Sequence, residues 1–260
     1  GTLLDGDGNI PSQLWPLLET MRDRAIAFVP ASGRQCTTLS TMFGSHLQGM
    51  PIIAENGTYV VRDGVDISSS TIDPNLTREV ITGVRQLRND GHDVGLVVAT
   101  KSIAYLERGD DPFVSHVATY YHSHRIVKDL SEHTDDVIKL SIYDFREASE
   151  ATYPTMQRTA PEHQVILATP NWVDIMNPGV NKGSAVEAVQ RDLGVTADQT
   201  AIFGDFLNDL EMMPMAKWSF AMANGHPNIV KASNYVAPPN TENGVITVLA
   251  ALLGTRVPIT

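Results

Sequence analysis

Gly204-Asp205-Phe206-Leu207-Asn208-Asp209 follows a short apolar run, Thr200-Ala201-Ile202-Phe203, and leads into a run with helical spacing over 207–213. A strand, a polar turn and a helix in that order place ligand-type side chains at the carboxyl end of a strand. Open α/β sheets build their sites there. Neighbouring carboxylates repel one another unless a cation lies between them, and oxygen donors of this hardness suit Mg²⁺. The stretch therefore predicts an α/β protein with a Mg²⁺ site at Asp205 and Asp209.

Strand–helix alternation surrounds it. A helix is predicted over 181–193, strands over 201–203 and 219–222, and helices over 226–232 and 245–253. Near the start, Ser12 caps a helix whose apolar positions are Leu14, Leu17, Leu18 and Met21. Strands are expected over 26–29 and 51–54, with a helix over 37–43 between them. Such repetition implies a parallel sheet with helices on both faces. The middle of the chain differs. Arg62-Asp63-Gly64 between 58–61 and 65–67 is a hairpin signal. A helix over 76–87 and strands over 94–99, 137–143, 165–167 and 172–175 follow. The expected fold class is α/β: a Rossmann-like parallel-sheet core formed by 1–57 and 171–260, with an inserted α/β cap over 58–170.

Composition narrows the function. The chain has 260 residues, 42% hydrophobic, enough for a sizeable core. A net charge of −11 argues against a nucleic-acid binder, whose footprint is a basic patch. A small anionic partner is compatible with it, because a local site can be positive on an acidic protein. Cys36 is the single cysteine, so no internal disulfide forms. It is read as packed in the helix after Ser32. With no membrane-length apolar run and no signal-peptide pattern, the expectation is a cytoplasmic protein. Oligomeric state is not legible.

Two further islands stand at strand ends. In Ser32-Gly33-Arg34 a hydroxyl precedes a glycine, and both the hydroxyl and nearby backbone N–H groups can donate to a phosphoryl oxygen. Alone, the pair reads as a turn. In Asn177-Pro178-Gly179-Val180-Asn181-Lys182-Gly183 a lysine opens a helix. Cations sit more comfortably at the other end of a helix, so Lys182 hints at an anion nearby, although in isolation it reads as a surface lysine. Asp205 and Asp209 alone read as helix caps, yet Asn208 adds a polar group that capping does not require. Together the islands supply a hydroxyl donor, a fixed cation and a metal carboxylate. Holding a phosphoryl group needs those three.

That set resembles the haloacid dehalogenase superfamily, in its Cof-like sugar-phosphatase branch. Gly1-Thr2-Leu3-Leu4, Ser32-Gly33-Arg34, Asn56-Gly57, Lys182-Gly183 and Gly204-Asp205 with Asn208-Asp209 carry the resemblance, in the family's order. It implies a Mg²⁺-dependent phosphatase for small phosphorylated metabolites, sugar phosphates first. Ser32 and Gly33 would bind the phosphoryl group, and Lys182 would neutralise its charge and that of the nucleophile. Asp205 would ligate Mg²⁺. Asn208 would orient the phosphoryl group or the lysine, and Asp209 would hold Lys182 or a metal-bound water. Asn56 and Gly57 would lie at the cap hinge.

The family's first motif is Asp-x-Asp-Gly-Thr. Its first Asp attacks phosphorus and its second is the general acid and base. The sequence here opens at the Gly of that motif, so the resemblance implies a nucleophile upstream of Gly1. Asp5-Gly6-Asp7-Gly8-Asn9 has a similar spelling, but the residues before it are too few for a central strand. As a calcium loop it fails as well, since Ile10 and Pro16 occupy the positions of the turn glycine and the bidentate glutamate. Two rivals on the same fold are an inactive phospho-ligand binder and a phosphotransferase or phosphomutase. No dinucleotide or Walker loop is present. His116, His122, His124 and His133 are read as cap surface, with a metal site at His122-Ser123-His124 as the alternative.

Overall fold

The structure is a computed structural model that describes residues 1–256. Helices α1 (Leu14–Asp23) and α2 (Cys36–Phe43) lead to an antiparallel sheet of β1 (Pro51–Ala54), β2 (Tyr59–Arg62) and β3 (Val65–Ser69). At the β2–β3 turn Asp63 and Gly64 both take positive φ, 50° and 79°, which suits the twist of a tight hairpin. Then come α3 (Pro74–Asn89), β4 (Val94–Thr100), β5 (Ala104–Leu106), α4 (Asp111–Ala118), β6 (His124–Ile126), β7 (Val137–Asp144), α5 (Thr152–Thr159), β8 (Gln164–Leu167) and β9 (Trp172–Met176). These strands form a six-stranded sheet in the order β6-β5-β4-β7-β9-β8. The chain ends with α6 (Lys182–Leu193), β10 (Ala201–Gly204), β11 (Trp218–Met222), α7 (Pro227–Ala232), β12 (Tyr235–Ala237) and α8 (Gly244–Leu252). Strands β10, β11 and β12 pair in parallel, the strand–helix repeat read from the sequence.

Alternation along the strands of the six-stranded sheet separates two chemistries. Leu96 and Val98 of β4, Leu140 and Ile142 of β7, and Val173 and Ile175 of β9 pack with the apolar stripe of α3. Side chains at odd steps go to the opposite face. There β7 carries Lys139, Ser141 and Tyr143, and β9 carries Trp172 and Asp174, with Ser141 beside Asp174 and Tyr143 beside Trp172 in the register. Helix α4 covers one end of this face through Phe113 and Val117. The remainder faces the core.

Three expectations change. Residues 26–29 form no strand: the segment is held to β1 by one parallel bridge, Ala31 to Ile53. A ladder on one side only, and that of a single bridge, does not make a strand. The helix expected over 207–213 is two single turns, Leu207–Asp209 and Met213–Met215. Pro214 disfavours helical backbone at Met213 and removes a donor, while the Asp209 carboxylate accepts from the Asp205 and Phe206 amides. The divisions expected at 57/58 and 170/171 cut the pairs β1–β2 and β8–β9. Sheet membership assigns the hairpin 59–69 to the β1 side and gives the insertion α3 through β9, 74–176.

Candidate active site

The lysine is placed by its helix start. The Asn181 side chain accepts from the Ser184 amide at 2.9 Å, and the Ser184 hydroxyl accepts from the Asn181 amide at 3.1 Å. This reciprocal cap fixes the first turn of α6. Gly57 makes it reachable. It has φ 96°, and a Cβ there would lie 2.4 Å from the Asn181 carbonyl oxygen, so only glycine allows the hinge to touch the helix start. Lys182 is 5% exposed. Its Nζ donates to Asp209 Oδ1 at 2.6 Å.

Both Asp209 oxygens are thereby engaged, one with the ammonium and one with the Asp205 amide at 2.9 Å. Asp209 anchors the lysine and closes the turn after β10, and it also lines the cavity. Asp205 is different. Its carboxylate is 22% exposed, takes a hydrogen bond from the Thr2 hydroxyl and stands 3.7 Å from the amino group of Gly1. Mg²⁺ is usually held by one or two carboxylates with substrate phosphate and water filling the rest. Asp205 fits that demand. Among the described residues no group of three or more His, Cys, Asp or Glu could hold a metal. The histidines are dispersed: His116 stacks on Tyr143, His133 stacks on Tyr105, and His124 faces the Tyr121 carbonyl.

Ser32 begins the third wall. Its amide donates to the Ile53 carbonyl at 3.0 Å and its carbonyl accepts from the Asn56 amide at 3.0 Å. Its Oγ accepts from the Arg34 amide at 3.1 Å, so the hydroxyl proton is left to donate elsewhere. Asn208 donates to the Asn56 side-chain oxygen at 3.0 Å. Ser32, Gly33, Lys182, Asp205, Asn208 and Asp209 all line one cavity of about 840 Å³. One end of that cavity is an apolar slot. It runs between the backbones of 27–31 and β10, with Leu39, Phe43 and Leu249 among its walls. Asp5 and Asp7 lie outside it, in a turn where Asp5 Oδ1 accepts from the Asp7 and Asn9 amides.

The other end carries groups that the sequence reading passed over. Lys139 and Asp174 interrupt the apolar strands 137–143 and 172–175, and a charge inside such a run was the available signal. Lys139 is 2% exposed, Asp174 5% and Glu55 1%. Lys139 Nζ lies 2.5 Å from Glu55 Oε2 and 3.8 Å from Asp174 Oδ2. The contact with Glu55 is an ion pair outside hydrogen-bond alignment, and Glu55 Oε1 has no hydrogen-bond partner among the described residues. Burial pushes the Glu55 carboxyl up despite Lys139. Burial also pulls Lys139 down, but Asp174 and Glu55 outweigh it and hold the ammonium well above its usual range. Asp174 accepts from Ser141 at 2.6 Å and from Asn56 at 3.2 Å.

A parallel α/β core, a sheet-bearing insertion and a shared cavity with a hydroxyl, an anchored ammonium and an outward carboxylate define a hydrolase-type α/β protein. The chain belongs to the haloacid dehalogenase-like hydrolases, whose family model matches residues 1–249. It is 28% identical to the 5-amino-6-(5-phospho-D-ribitylamino)uracil phosphatase YbjI of Escherichia coli, over 92% of this chain and 88% of that one. It is 22% identical to the HMP-PP phosphatase of Cronobacter sakazakii, over 88% and 84%. The crystal structure of a haloacid dehalogenase-like hydrolase from Bacteroides thetaiotaomicron superposes with a TM-score of 0.85 at 21% identity, over 97% and 96%.

Proposed function

We propose that the protein is a Mg²⁺-dependent phosphatase for small phosphate monoesters, with phosphorylated sugars or polyols as the substrate class. The observation that carries the reading is the convergence of Ser32, Lys182 and Asp205 on one cavity. The ester's phosphoryl group would take a hydrogen bond from the Ser32 hydroxyl and the Gly33 amide. Lys182, held by Asp209, would neutralise phosphoryl charge from a fixed position, which costs no reorganisation during the reaction. Asn208, held by Asn56, would orient the same oxygens. Asp205 would hold Mg²⁺, and the bound ion would neutralise the remaining charge on the phosphoryl oxygens. The insertion 74–176 would act as the cap over the leaving group. The phosphoribityl group in the name of the Escherichia coli relative supports a polyol phosphate.

The carboxylates lining the cavity among the described residues are Asp174, Asp205 and Asp209. Two are bound to partners and the third is the metal candidate, so we assign the nucleophile to none of them. Among the described residues, the segment 27–31 pairs only toward β1 and β10 is the edge of its sheet, so unpaired backbone borders the apolar slot on both sides. An Asp-x-Asp at the end of a strand in that slot would emerge beside Asp205 and Lys182. This supports a nucleophilic aspartate upstream of Gly1, forming an aspartyl-phosphate. The same observation favours a second reading for the chain by itself, a phospho-ligand binder.

Phosphate release from a panel of esters, with and without Mg²⁺, tests both. It is measured on this chain and on the chain preceded by an apolar strand ending in Asp-x-Asp. Restoring a nucleophile and its acid–base partner is expected to raise the Mg²⁺-dependent rate by roughly 10³-fold or more. Equal rates from the two chains would remove the upstream nucleophile, and no release from either would leave the binder.

A further inference from the structure

We propose that Gln35 and Lys139 are positioning residues that make docking of the insertion and assembly of the phosphate-binding loop a single event. The inference rests on the phosphate site assigned above. It starts from where the polar groups of residues 32–35 go. The Ser32 and Arg34 carbonyls accept from the Asn56 and Glu55 amides, each at 3.0 Å. The Gly33 carbonyl accepts from Lys139 Nζ at 3.0 Å. The Gln35 amide donates to the Tyr120 carbonyl at 3.1 Å, and the Arg34 guanidinium donates to the Thr119 carbonyl. Of these five bonds, two thus come from the loop's own hinge and three from the inserted unit.

Gln35 does more. It is fully buried at 0% exposure. Its side-chain amide pairs with the main chain of Ser123 in both directions, Nε2 to the carbonyl at 3.0 Å and Oε1 from the amide at 2.9 Å. Thr38 repeats the pattern one turn along α2. Its hydroxyl donates to the Tyr120 carbonyl and accepts from the His122 amide, both at 3.0 Å. Residues 119–123 are therefore docked as a strip on the start of α2, directly after the loop that carries Ser32.

The hinge is arranged to need this docking. Glu55, Asn56 and Gly57 take successive positive φ of 52°, 59° and 96°. Left-handed backbone is tolerated by Asn but unfavourable for Glu, and at Glu55 it persists where surrounding contacts over-determine it. Those contacts are Lys139 on Glu55 and Asp174 on Asn56, both from the insertion. If the insertion lifts away, Gln35, Lys139 and Glu55 each lose a partner while Ser32 loses the clamp on its neighbours. Two such arrangements are discrete states, and a ligand that requires Ser32 in place favours the docked one. Coupling of this kind is reciprocal.

Orthophosphate with Mg²⁺ is the probe, because it is small enough to occupy the Ser32–Lys182 end alone. Tyr120 and Tyr121 line the cavity, whereas His122 and Ser123 do not, so within 119–123 it is the protection at 122 and 123 that reads an indirect effect. The measurements are orthophosphate affinity by calorimetry and amide exchange with and without saturating orthophosphate. In the wild-type chain, orthophosphate is expected to slow exchange both at 33–38 and at 119–123. Gln35→Ala is expected to weaken orthophosphate at least about fivefold, the low end of usual coupling, and to abolish the ligand-induced protection at 119–123 even at saturation. Thr38→Val should do the same to a lesser degree. Lys139→Met, paired with Glu55→Gln to avoid a stranded carboxylate, tests the second clamp, and the two α2 variants decide the question if it does not fold. Arg85→Gln, in an ion-pair cluster of the insertion away from the cavity, should leave both readouts unchanged. Wild-type affinity in Gln35→Ala, or protection confined to 33–38 in the wild-type chain, overturns the proposal. Absence of orthophosphate binding to the wild-type chain fells the phosphate site itself, and this inference with it.

Discussion

Asp209 sets the chemistry of the site at the smallest scale. One of its oxygens holds Lys182 and the other closes the turn after β10. Asp209→Asn keeps the turn-closing acceptor but removes the counter-charge of a lysine that is 5% exposed. Breaking a buried pair by removing one partner costs about 3–5 kcal/mol. We expect a drop in stability at the upper part of that range in the absence of ligand, and a smaller drop in saturating orthophosphate, which resupplies negative charge. Chemical denaturation with and without orthophosphate checks this, and an equal loss in both conditions would refute it. Ser32→Ala removes one donor to a charged ligand, worth about 1.5–3 kcal/mol, so orthophosphate binding should weaken by roughly tenfold or more with the fold unchanged. Cys36 stays quiet at this scale, since burial raises its thiol pKa.

At the level of elements, the helix start that carries Lys182 is the sensitive point. Asn181→Ala removes the side-chain cap of α6 and should cost about 1 kcal/mol, read as a lower denaturation midpoint. Gly57→Ala acts on the same contact from the other side. It forces a Cβ against the Asn181 carbonyl and onto a left-handed backbone, for an expected cost of about 1–3 kcal/mol. A neutral Gly57→Ala would mean that hinge and helix start move independently. The sequence disclosed α6, β10 and β11 because each is local: a cap residue, a 3.6 or 2.0 period, a terminating glycine. It disclosed Ser32, Lys182 and Asp205 because each stands at a strand end. It did not disclose Gln35 or Thr38, whose partners lie more than eighty positions away at 120–123. Nor could periodicity show that 26–29 has too few pairing partners to become a strand, since pairing is a property of neighbours in space. The break in the helix expected over 207–213 has a nearer signal, Pro214, which cannot continue a helix begun at 207.

For the whole molecule, acid sensitivity follows from the surface of the insertion. Arg85 holds Glu107 and Asp129 together, and its hydrogen bonds lower both carboxyl pKa values, that of Asp129 to about 2. A depressed folded pKa means that the contribution is complete above the ordinary carboxylate range, about pH 4, and is lost as pH falls toward 2. The thermal midpoint should fall as pH drops across that window in the wild-type chain, and fall less in Arg85→Gln. Solvent screening keeps the effect small, because the Asp129 side chain is 48% exposed. Among the described residues no helix is long and apolar enough to cross a membrane.

The slot beside β10 has a colloidal consequence. Ile26 and Leu252, at 40% and 45% exposed, belong to its rim, and unpaired main chain next to greasy side chains invites stray chains to anneal there. A solution of this polypeptide should light up a dye such as anilinonaphthalene sulfonate and cloud on warming, and any guest that seats in the trough should quench the glow and clear the suspension together.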